Sequence, residues 1–561
     1  MDATSHREYV MKPSERPNIL ILFPDQARYD TIAAAGYPWM KTPHLDRLVR
    51  EGCLFTNAYT PCPLCMPARH SAMTGKTPRS HGYFGITDNP IQDPGLPTLP
   101  RTLSDHGYAT AAVGKMHFHP PRRHHGFEKM VLMEEIPRHR HEDEYAQHLS
   151  RCGLGHLQNL HGIRPLLYHE PQIALMPEEH HGANWVGRTA VEWLESVQDQ
   201  PFFLLCGWIN PHPPWNIPPR LRDLYRDAPI PTPIPRSREF PFVESVNPYY
   251  GDHDSPQEMR KIREAYLTMV SMVDDNVGRI LRHLERTGLL DHTVVIYTSD
   301  HGEMLQDKGF YQKSLPYESA VRIPLVIRYP KRFRPGSQDA RFADLMDLFP
   351  TLLDLAQIDA RRQETKEPRQ FDGVSLVSEA SRQRQYQRFD FHTGRPRWTA
   401  VRDQQYKYVY FYNGGTEQFF DLRKDPRELR NLIRTGEAPR EDYARLKAKC
   451  VELEKRYGPE GYVEGDRMIA FPAEEVRPET NFDASAKYPA WAHRHFQRFA
   501  GGSPAVNGDC FARELRSALG VKDVSARLDQ LAPGQHWKQA FLEEYRKFSG
   551  GNPAKDRWPE A

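Results

Sequence analysis

The sequence lacks an apolar run that could cross a membrane. Its longest such run, at 202–209, is far shorter than the ~20 residues that a transmembrane helix needs. The first 18 residues are polar and mixed in charge, and they lack the apolar core and small-residue cleavage site of a secretory signal. We therefore expect a cytoplasmic protein with no membrane partner.

An excess of charge of one sign is also missing. The 561 residues include 75 Lys and Arg against 73 Asp and Glu, a net charge of +2. This balance argues against a nucleic-acid partner held by bulk electrostatics, although a local anion site is compatible with it. Cysteine is sparse as well, since the seven residues do not form the dense, even framework of a small disulfide-rich domain. A reducing compartment fits this usage best.

Short apolar runs that end in a loop recur along the chain, as buried strands do. They lie at 18–26, 201–215, 292–303 and 322–330. Between them are segments with apolar residues at three- and four-residue spacing, which predicts helices at 42–52, 183–198 and 262–288. This alternation predicts an α/β fold in which a mainly parallel sheet is covered by helices on both faces.

The pattern changes near residue 383. Residues 398–412, followed by Gly414 and Gly415, indicate antiparallel strands. We expect a catalytic domain, a smaller α+β subdomain with antiparallel strands, and an extension that wraps the protein or joins it to a second copy. Their expected bounds are 17–382, 383–457 and 458–561.

Two cysteines, Cys62 and Cys65, lie three positions apart in the stretch TPCPLCMPARH. A zinc clip would need a second ligand pair at similar spacing, and none is evident. A thioredoxin-like redox pair would need a helix start after a strand, which this proline-rich stretch does not indicate. A disulfide is disfavoured in a reducing compartment. A fourth interpretation depends on the residues that follow Cys65.

Residues 65–69, Cys-Met-Pro-Ala-Arg, resemble the Cys-x-Pro-x-Arg core of the sulfatase signature, in which a maturation enzyme oxidises the cysteine to formylglycine. A second signature of that family is matched by GYATAAVGKMH at 107–117. There are two further matches, SDHGE at 299–303 and DLRKDPRELRNL at 421–432. The motifs follow family order over roughly 17–435. On them, the chain resembles the type I, formylglycine-dependent sulfatases of the alkaline phosphatase superfamily.

The resemblance implies that Cys65 becomes formylglycine, which requires a formylglycine-generating enzyme as a partner. The hydrated aldehyde has one oxygen that attacks the sulfur of a sulfate ester and a second that later expels sulfate, whereas a thiol would retain it. Cys62 is left without a catalytic role.

The resemblance also implies one divalent metal ion at the ends of two predicted strands. Its expected ligands are Asp25, Gln26, the modified Cys65, Asp300 and His301. Many family members have Asp-Asp and Asp-Asn at these two strand ends, whereas this chain has Asp-Gln and Asp-His. That variant is similar to choline sulfatase and phosphonate monoester hydrolase. Oxygen ligands suit calcium and the imidazole favours manganese, so both ions stay open.

The remaining positions of the family's catalytic site are filled by Arg69, Lys115, His117, His212 and Lys313. Arg69, one helical turn after Cys65, would hold the formylglycine hydrate. Lys115 and His117 would lie on one side of an extended segment and bind sulfate oxygens, with His117 also a candidate base. By resemblance, His212 would serve the leaving group and Lys313 would be a second sulfate-binding lysine.

We therefore expect a sulfatase that hydrolyses sulfate monoesters. The alternative is a phosphonate monoester or phosphodiester hydrolase on the same scaffold, a branch that has hydroxyl-bearing residues in place of the Lys-x-His pair. An inactive relative is disfavoured because every catalytic position is filled. A choline-type substrate would need an aromatic cage, for which Trp215, Tyr311 and Tyr317 are candidates. A homo-oligomer is compatible with the C-terminal extension.

Overall fold

The computed structural model describes residues 16–86, 95–137, 139–157, 159–163, 170–197, 200–235, 255–359, 371–393, 397–473, 514 and 517–520. Within these ranges the chain forms a large mixed sheet and a separate four-stranded antiparallel sheet. None of the helices in these ranges combines the length and the apolar character needed to cross a bilayer. The cytoplasmic location stays a prediction.

The strands, in chain order, are β1 (Asn18–Asp25), β2 (Cys53–Tyr59), β3 (Ala109–Gly114), β4 (Lys129–Leu132), β5 (Gln172–Ile173), β6 (Phe202–Pro211), β7 (Asn216–Ile217), β8 (Thr293–Thr298), β9 (Leu325–Arg328), β10 (Ser337–Asp344), β11 (Gln387–Phe391), β12 (Trp398–Arg402), β13 (Tyr406–Phe411), β14 (Thr416–Asp421), β15 (Val463–Glu464) and β16 (Arg467–Met468). The α-helices are α1 (Pro43–Glu51), α2 (Cys65–Thr74), α3 (Pro78–His81), α4 (Leu99–Ser104), α5 (Glu144–Arg151), α6 (Gly182–Ser196), α7 (Pro256–Arg286), α8 (Glu318–Val321), α9 (Leu348–Leu355), α10 (Glu379–Arg382) and α11 (Arg440–Tyr457).

The large sheet has eight strands in the spatial order β10-β2-β9-β8-β1-β6-β3-β4. The central strand β1 pairs in parallel with β6 on one side and with β8 on the other. β9 runs antiparallel to both of its neighbours, β2 and β8, while the other pairs in this sheet are parallel. The prediction of a mainly parallel sheet is confirmed.

Helices cover both faces of this sheet, as the alternation of elements predicts. Along β1, Ile19, Ile21 and Phe23 belong to one buried apolar cluster, while Leu20 and Leu22 belong to another, because successive side chains of a strand point to opposite faces. Residues of α2, α4 and α9 complete the first cluster, and residues of α1, α6 and α7 complete the second.

The predicted helices at 42–52 and 183–198 agree with α1 and α6 to within two residues. The helix predicted at 262–288 is wrong at its start, because α7 begins at Pro256. A capping box starts it there: the Ser255 side chain accepts from the Glu258 N–H, and the Glu258 side chain accepts from the Ser255 N–H. These bonds satisfy amide groups that would otherwise lack partners, and proline at the first helical position has no N–H that needs one.

The small sheet consists of β11 to β14, each antiparallel to the next, and it packs against α11. It also contacts two loops of the larger part of the chain. The Asp390 N–H donates to the carbonyl oxygen of Pro61 at 2.9 Å, and the Trp398 Nε1–H donates to that of Ser314 at 2.8 Å. The predicted C-terminal antiparallel strands are therefore confirmed, and they brace the loops that precede Cys65 and follow Lys313.

Parts of the C-terminal extension lie on the body of the protein. The Phe471 N–H donates to the carbonyl of Tyr412 at 2.8 Å, and the Gly414 N–H donates to the carbonyl of Phe471 at 2.9 Å. Farther along, the carboxylate of Glu514 accepts from the backbone N–H of Asn159 at 3.1 Å and from its side-chain amide at 2.6 Å. These contacts agree with a wrapping extension, and the three domain bounds stay predictions.

Gly114 of β3 and Gly207 of β6 are register partners. Gly114 has a φ of +94°, and a Cβ on it would overlap the carbonyl oxygen of Gly207. A Cβ on Gly207 would in turn overlap the carbonyl oxygen of Lys115. The absence of side chains allows the Lys115 N–H to donate to Gly207 at 2.8 Å, and this bond fixes where Lys115 leaves the strand.

We expect Gly114→Ala to destabilise the protein by about 3 kcal/mol or more, because it adds both a steric overlap and a disfavoured backbone conformation. Gly107→Ala is the matched control, since Gly107 has a φ of +85° but open space around its Cβ position, and it should cost only about 1 kcal/mol. Thermal unfolding of both variants measures the difference. Equal shifts in the melting temperature would contradict the close approach at Gly114.

Candidate active site

The carboxyl ends of four adjacent strands carry five of the ten predicted site residues. Asp25 ends β1, Asp300 and His301 follow β8, His212 follows β6 and Lys115 follows β3. These strands are parallel neighbours in the order β8-β1-β6-β3, so their carboxyl ends meet at one edge of the sheet, which is where open α/β sheets bind ligands. All five side chains are buried.

Cys65 is the first residue of α2 and lies within this cluster. Its Sγ is 3.1 Å from His301 Nε2 and 3.7 Å from Asp25 Oδ1. One ligand atom each from Asp25, Cys65, Asp300 and His301 lies within 4.8 Å of the others. Cys62 is absent from this group and belongs instead to a buried apolar cluster. The cysteine pair is therefore not a joint metal clip.

Burial raises the pKa of the Cys65 thiol to about 12, and nearby Asp25 adds to the effect. Burial also raises the pKa of Cys62 well above its usual value. The helix start that a thioredoxin-like redox pair needs is present, since α2 begins at Cys65, although the sequence did not indicate it. A redox pair also requires a lowered thiol pKa, however, and both thiol pKa values are raised. Both cysteines are free. Unmodified Cys65 is thus a neutral thiol and a weak nucleophile at pH 7.

Arg69 lies one turn after Cys65 on α2 and binds both strand-end carboxylates. Its Nε donates to Asp300 Oδ2 at 2.8 Å, its Nη2 is 3.4 Å from Asp25 Oδ2, and its Nη1 donates to the carbonyl oxygen of Lys115 at 2.9 Å. Burial alone would raise the pKa of Asp300, but His301, Arg69 and Lys115 together hold it well below its usual value. For Asp25, burial and the charge of Asp300 raise the pKa. Lys115, His212 and Arg69 together lower it by more, so the pKa lies below its usual value. Both carboxylates are therefore ionised.

Two buried lysines face the same point. Lys115 Nζ is 2.7 Å from Asp25 Oδ2 and 2.7 Å from Glu135 Oε2. Lys313 Nζ donates to Gln26 Oε1 at 2.6 Å. Burial lowers the pKa of each lysine, yet the surrounding anionic groups raise it above its ordinary value. Both ammonium groups are therefore charged.

Gln26 adjoins the cluster, but its carboxamide is bonded elsewhere. Its Nε2 donates to Glu303, its Oε1 accepts from Lys313, and its backbone N–H donates to Asp300 Oδ1 at 3.0 Å. In this arrangement Gln26 links Lys313 to the ligand group. Its role as a metal ligand stays a prediction.

The expectation of an extended segment from Lys115 to His117 is wrong. His117 has a φ of +53°, because the N–H groups of Met116 and His117 both donate to Glu134 Oε1, at 3.0 and 2.9 Å, and turn the chain. Burial lowers the pKa of His117 to about 3, with Lys115 adding to the effect. Among the residues that the structure describes, its Nδ1 has no hydrogen-bond partner. His117 is thus a neutral imidazole.

His212 lies in the loop that follows β6. Its Nδ1–H donates to the carbonyl oxygen of Pro213 at 2.6 Å and lies 3.6 Å from Glu135 Oε1. Burial lowers its pKa well below the ordinary value, while Glu135 opposes that shift. Because Nδ1 is used by the protein, Nε2 is the ring nitrogen left for a substrate.

Sequence reasoning missed three acidic residues, of which Glu134 and Glu303 are buried and Glu135 is partly buried. Glu134 and Glu135 follow β4 after one intervening residue, in the sequence MEEIP, so the strand-end pattern that indicated Asp25 could also have found them. Glu303 was visible in SDHGE but had no assigned role. Its Oε1 accepts from the N–H groups of Gln312 at 2.6 Å and Leu305 at 2.8 Å. Glu303 therefore shapes the loop that carries Lys313.

That loop has an unusual backbone. Five of its non-glycine residues have φ between +45° and +73°: Leu305, Gln306, Lys308, Gln312 and Ser314. Such conformations cost of order 1 kcal/mol each and persist only where surrounding bonds impose them. The bonds to Glu303 and from Trp398 supply that constraint, and they hold Lys313 in place.

The three candidate cage aromatics do not converge. The rings of Trp215 and Tyr311 are 6.0 Å apart, whereas Tyr317 packs 6.3 Å from Phe420 of the small sheet. All three side chains are 1% exposed or less. They are core residues, and they offer no open cage for a quaternary ammonium group.

The residues present fit a divalent cation. Two ionised carboxylates and one imidazole converge at a buried point, a donor set suited to calcium or manganese. His301 Nδ1–H donates to the carbonyl oxygen of Gly302 at 2.9 Å, which fixes the tautomer and leaves a lone pair on Nε2, on the side of Cys65. Burial lowers the pKa of His301 and keeps the ring neutral, although Asp300 opposes the shift.

The sheet, its helices on both faces, the separate antiparallel sheet and the cluster at the strand ends define an alkaline-phosphatase-like α/β fold. The crystal structure of phosphonate monoester hydrolase from Agrobacterium radiobacter superimposes with a TM-score of 0.67 at 26% identity, covering 80% of this chain and 98% of that one.

The chain belongs to the sulfatase family, because the Sulfatase family model matches residues 17–358. A second model, the C-terminal region of N-sulphoglucosamine sulphohydrolase, matches residues 306–456. An arylsulfatase of Clostridium perfringens is 31% identical over 489 residues, covering 81% of this chain and 97% of that protein. A choline-sulfatase of Rhizobium meliloti is 31% identical over 449 residues, covering 76% of this chain and 84% of that protein. The resemblance seen in the motifs is confirmed.

We expect Asp300→Asn to weaken calcium or manganese binding by at least ~100-fold, since it removes one of two anionic ligands and the tie to Arg69. Metal content of the dialysed protein, measured by mass spectrometry, should fall from about one equivalent per chain to a small fraction of that. Asp105→Asn, at an exposed helix end, is the control and should retain the metal. Full metal content in Asp300→Asn would refute the ligand assignment.

Proposed function

We propose that this sulfatase-family member, a sulfuric ester hydrolase, cleaves sulfate monoesters through a formylglycine made from Cys65. The observation that carries the proposal is the position of Cys65, whose Sγ lies beside His301 and Asp25 at the start of α2. The raised pKa of the thiol supports it as well, because an unmodified Cys65 would be a poor nucleophile at this point.

The proposed metal ion is Ca²⁺ or Mn²⁺, held by Asp25, Asp300, His301 and the modified Cys65, with Gln26 as a further candidate ligand. The hydrated formylglycine supplies an attacking hydroxyl and a second hydroxyl for expelling sulfate, while the metal supplies positive charge for the sulfate oxygens. The chain's own residues have to bind the ester, orient it and move its protons.

The charges near the proposed sulfate position are of both signs before a metal ion is counted. Arg69, Lys115 and Lys313 are opposed by the carboxylates of Asp25, Asp300 and Glu135, and Glu134 and Glu303 lie next to this group. A divalent ion would add two positive charges to it. In a water-poor site the added positive charge favours an anionic substrate and the charge that develops on it.

Within that site, Lys115 and Lys313 would bind sulfate oxygens. His117 is neutral and its Nδ1 has no partner among the described residues, so it can accept a proton from a formylglycine hydroxyl when sulfate is released. His212 Nε2 would face the leaving-group oxygen; because Nδ1–H is used by Pro213, the ring has to take up a second proton, at Nε2, before it can protonate the leaving alcohol. Glu135 favours the protonated imidazole that this step requires.

Phosphonate monoester hydrolysis is the second candidate, since a solved enzyme of that name shares the fold at 26% identity. We favour sulfate because Lys115 and His117 occupy the proposed anion site.

We also propose that a formylglycine-generating enzyme matures the chain. The proposed organisation of the chain is a catalytic domain (17–382), a small-sheet subdomain (383–457) and an extension (458–561). Assembly into a homo-oligomer through that extension stays a proposal.

Relative activity on two ester classes tests the proposal. Because the anion site combines two lysines with a neutral histidine, we expect kcat/KM for an aryl sulfate to exceed that for an aryl phosphonate monoester by at least ~10-fold. A panel of substrates that adds choline and sugar sulfates would then define the alcohol part of the sulfate ester. A higher kcat/KM for the phosphonate would contradict the sulfate assignment and favour phosphonate monoester hydrolysis.

Conversion of Cys65 to formylglycine changes the mass of the peptide that contains it, so mass spectrometry tests the modification. In active protein from a host with the maturation enzyme, the Cys65 peptide should be about 18 Da lighter than its unmodified form. Cys65→Ala should abolish turnover. Cys62→Ala is the neighbouring control and should retain most activity, because it removes only one buried sulfur from an apolar cluster. Full activity with an unmodified Cys65 thiol would overturn the mechanism.

A further inference from the structure

A second cluster of metal-ligating side chains lies outside the candidate active site. His148 is in the last turn of α5, and Cys152 caps the carboxyl end of that helix. The four-residue spacing places both side chains on one face. His180 faces them from a short 3₁₀ turn, Glu178–His180. The cluster is partly exposed: both histidines are half-buried and Cys152 is exposed.

The distances within the cluster match those of a tetrahedral metal site. His148 Nε2 is 3.2 Å from His180 Nδ1, and Cys152 Sγ is 3.8 Å from His148 Nε2. All three ligand atoms lie within 4.8 Å of one another. With bonds of about 2.0–2.1 Å to nitrogen and about 2.3 Å to sulfur, tetrahedral angles separate two nitrogens by about 3.3 Å and a nitrogen from a sulfur by about 3.6 Å. Cys152 Sγ is also 3.9 Å from His148 Nδ1, so the imidazole or the thiol side chain has to rotate to direct Nε2 and Sγ at one ion.

The protonation states also suit a metal ion. Burial lowers the pKa of His148 to about 4, with Arg188, His180 and Arg151 adding to the effect. The imidazole is therefore neutral and has a lone pair to donate at pH 7. The two arginines oppose a cation, but metal binding deprotonates a coordinating thiol, and the thiolate charge offsets them. One thiolate with two imidazoles favours zinc-class ions over calcium.

We propose that His148, Cys152 and His180 bind one Zn²⁺-class ion, with water at the fourth position. The ion would join the carboxyl end of α5 to the turn before α6. The site is independent of the proposed ester hydrolysis.

Alkylation of Cys152 tests the site in the full-length, metal-loaded enzyme. Zn²⁺ should slow iodoacetamide labelling of the Cys152 peptide at least tenfold, measured by peptide mass spectrometry, because coordination occupies the thiolate. His148→Ala and His180→Ala should each remove that protection. His141→Ala is the matched control: it changes an exposed histidine of the same segment that lies outside the cluster, and it should retain full protection.

Cobalt supplies a second measurement that does not depend on labelling chemistry. In protein whose Cys65 has been converted to formylglycine, so that the active site holds no thiolate, bound Co²⁺ should show a thiolate charge-transfer band in the near ultraviolet, and Cys152→Ser should abolish that band. Sulfatase activity should be the same in both proteins, which separates this test from that of the proposed function. A band that persists in Cys152→Ser, labelling that Zn²⁺ does not slow, or protection that survives both histidine variants would overturn the proposal.

Discussion

The candidate site depends on the pairing of one buried guanidinium with two buried carboxylates. Asp25 and Asp300 end neighbouring parallel strands and are fully buried, so their charges would repel each other at a cost of several kcal/mol if no cation lay between them. Arg69 contacts both. This pairing fixes how α2 docks on the sheet edge, and Cys65, one turn earlier, is thereby placed beside His301.

Charge pairing continues outward from that centre. Lys115 joins Asp25 to Glu135, and Glu135 in turn faces His212. Each ionised side chain therefore has an opposite charge within reach, which is what keeps lysines charged and carboxylates ionised in a buried site.

The small antiparallel sheet contributes to the site without supplying a reacting group. Its bonds to Pro61 and Ser314 hold the two loops that flank Cys65 and Lys313, and the second of these loops contains five left-handed non-glycine residues. A strained loop is an accurate support for a lysine only if other parts of the fold restrain it. The C-terminal sheet thus helps to hold the loop that carries Lys313, the lysine proposed to bind sulfate.

The sequence by itself determined the strand-helix alternation, the strand-end positions of Asp25, Asp300 and His301, and the one-turn spacing of Cys65 and Arg69, because each depends on residues close together in the chain. Tertiary structure alone decided that Glu135 meets His212, that Gln26 is bonded to Lys313, and that His180 lies beside His148. These partners are 32 to 287 positions apart. Their contacts follow from the strand order β8-β1-β6-β3 and from loop packing, which no local pattern encodes.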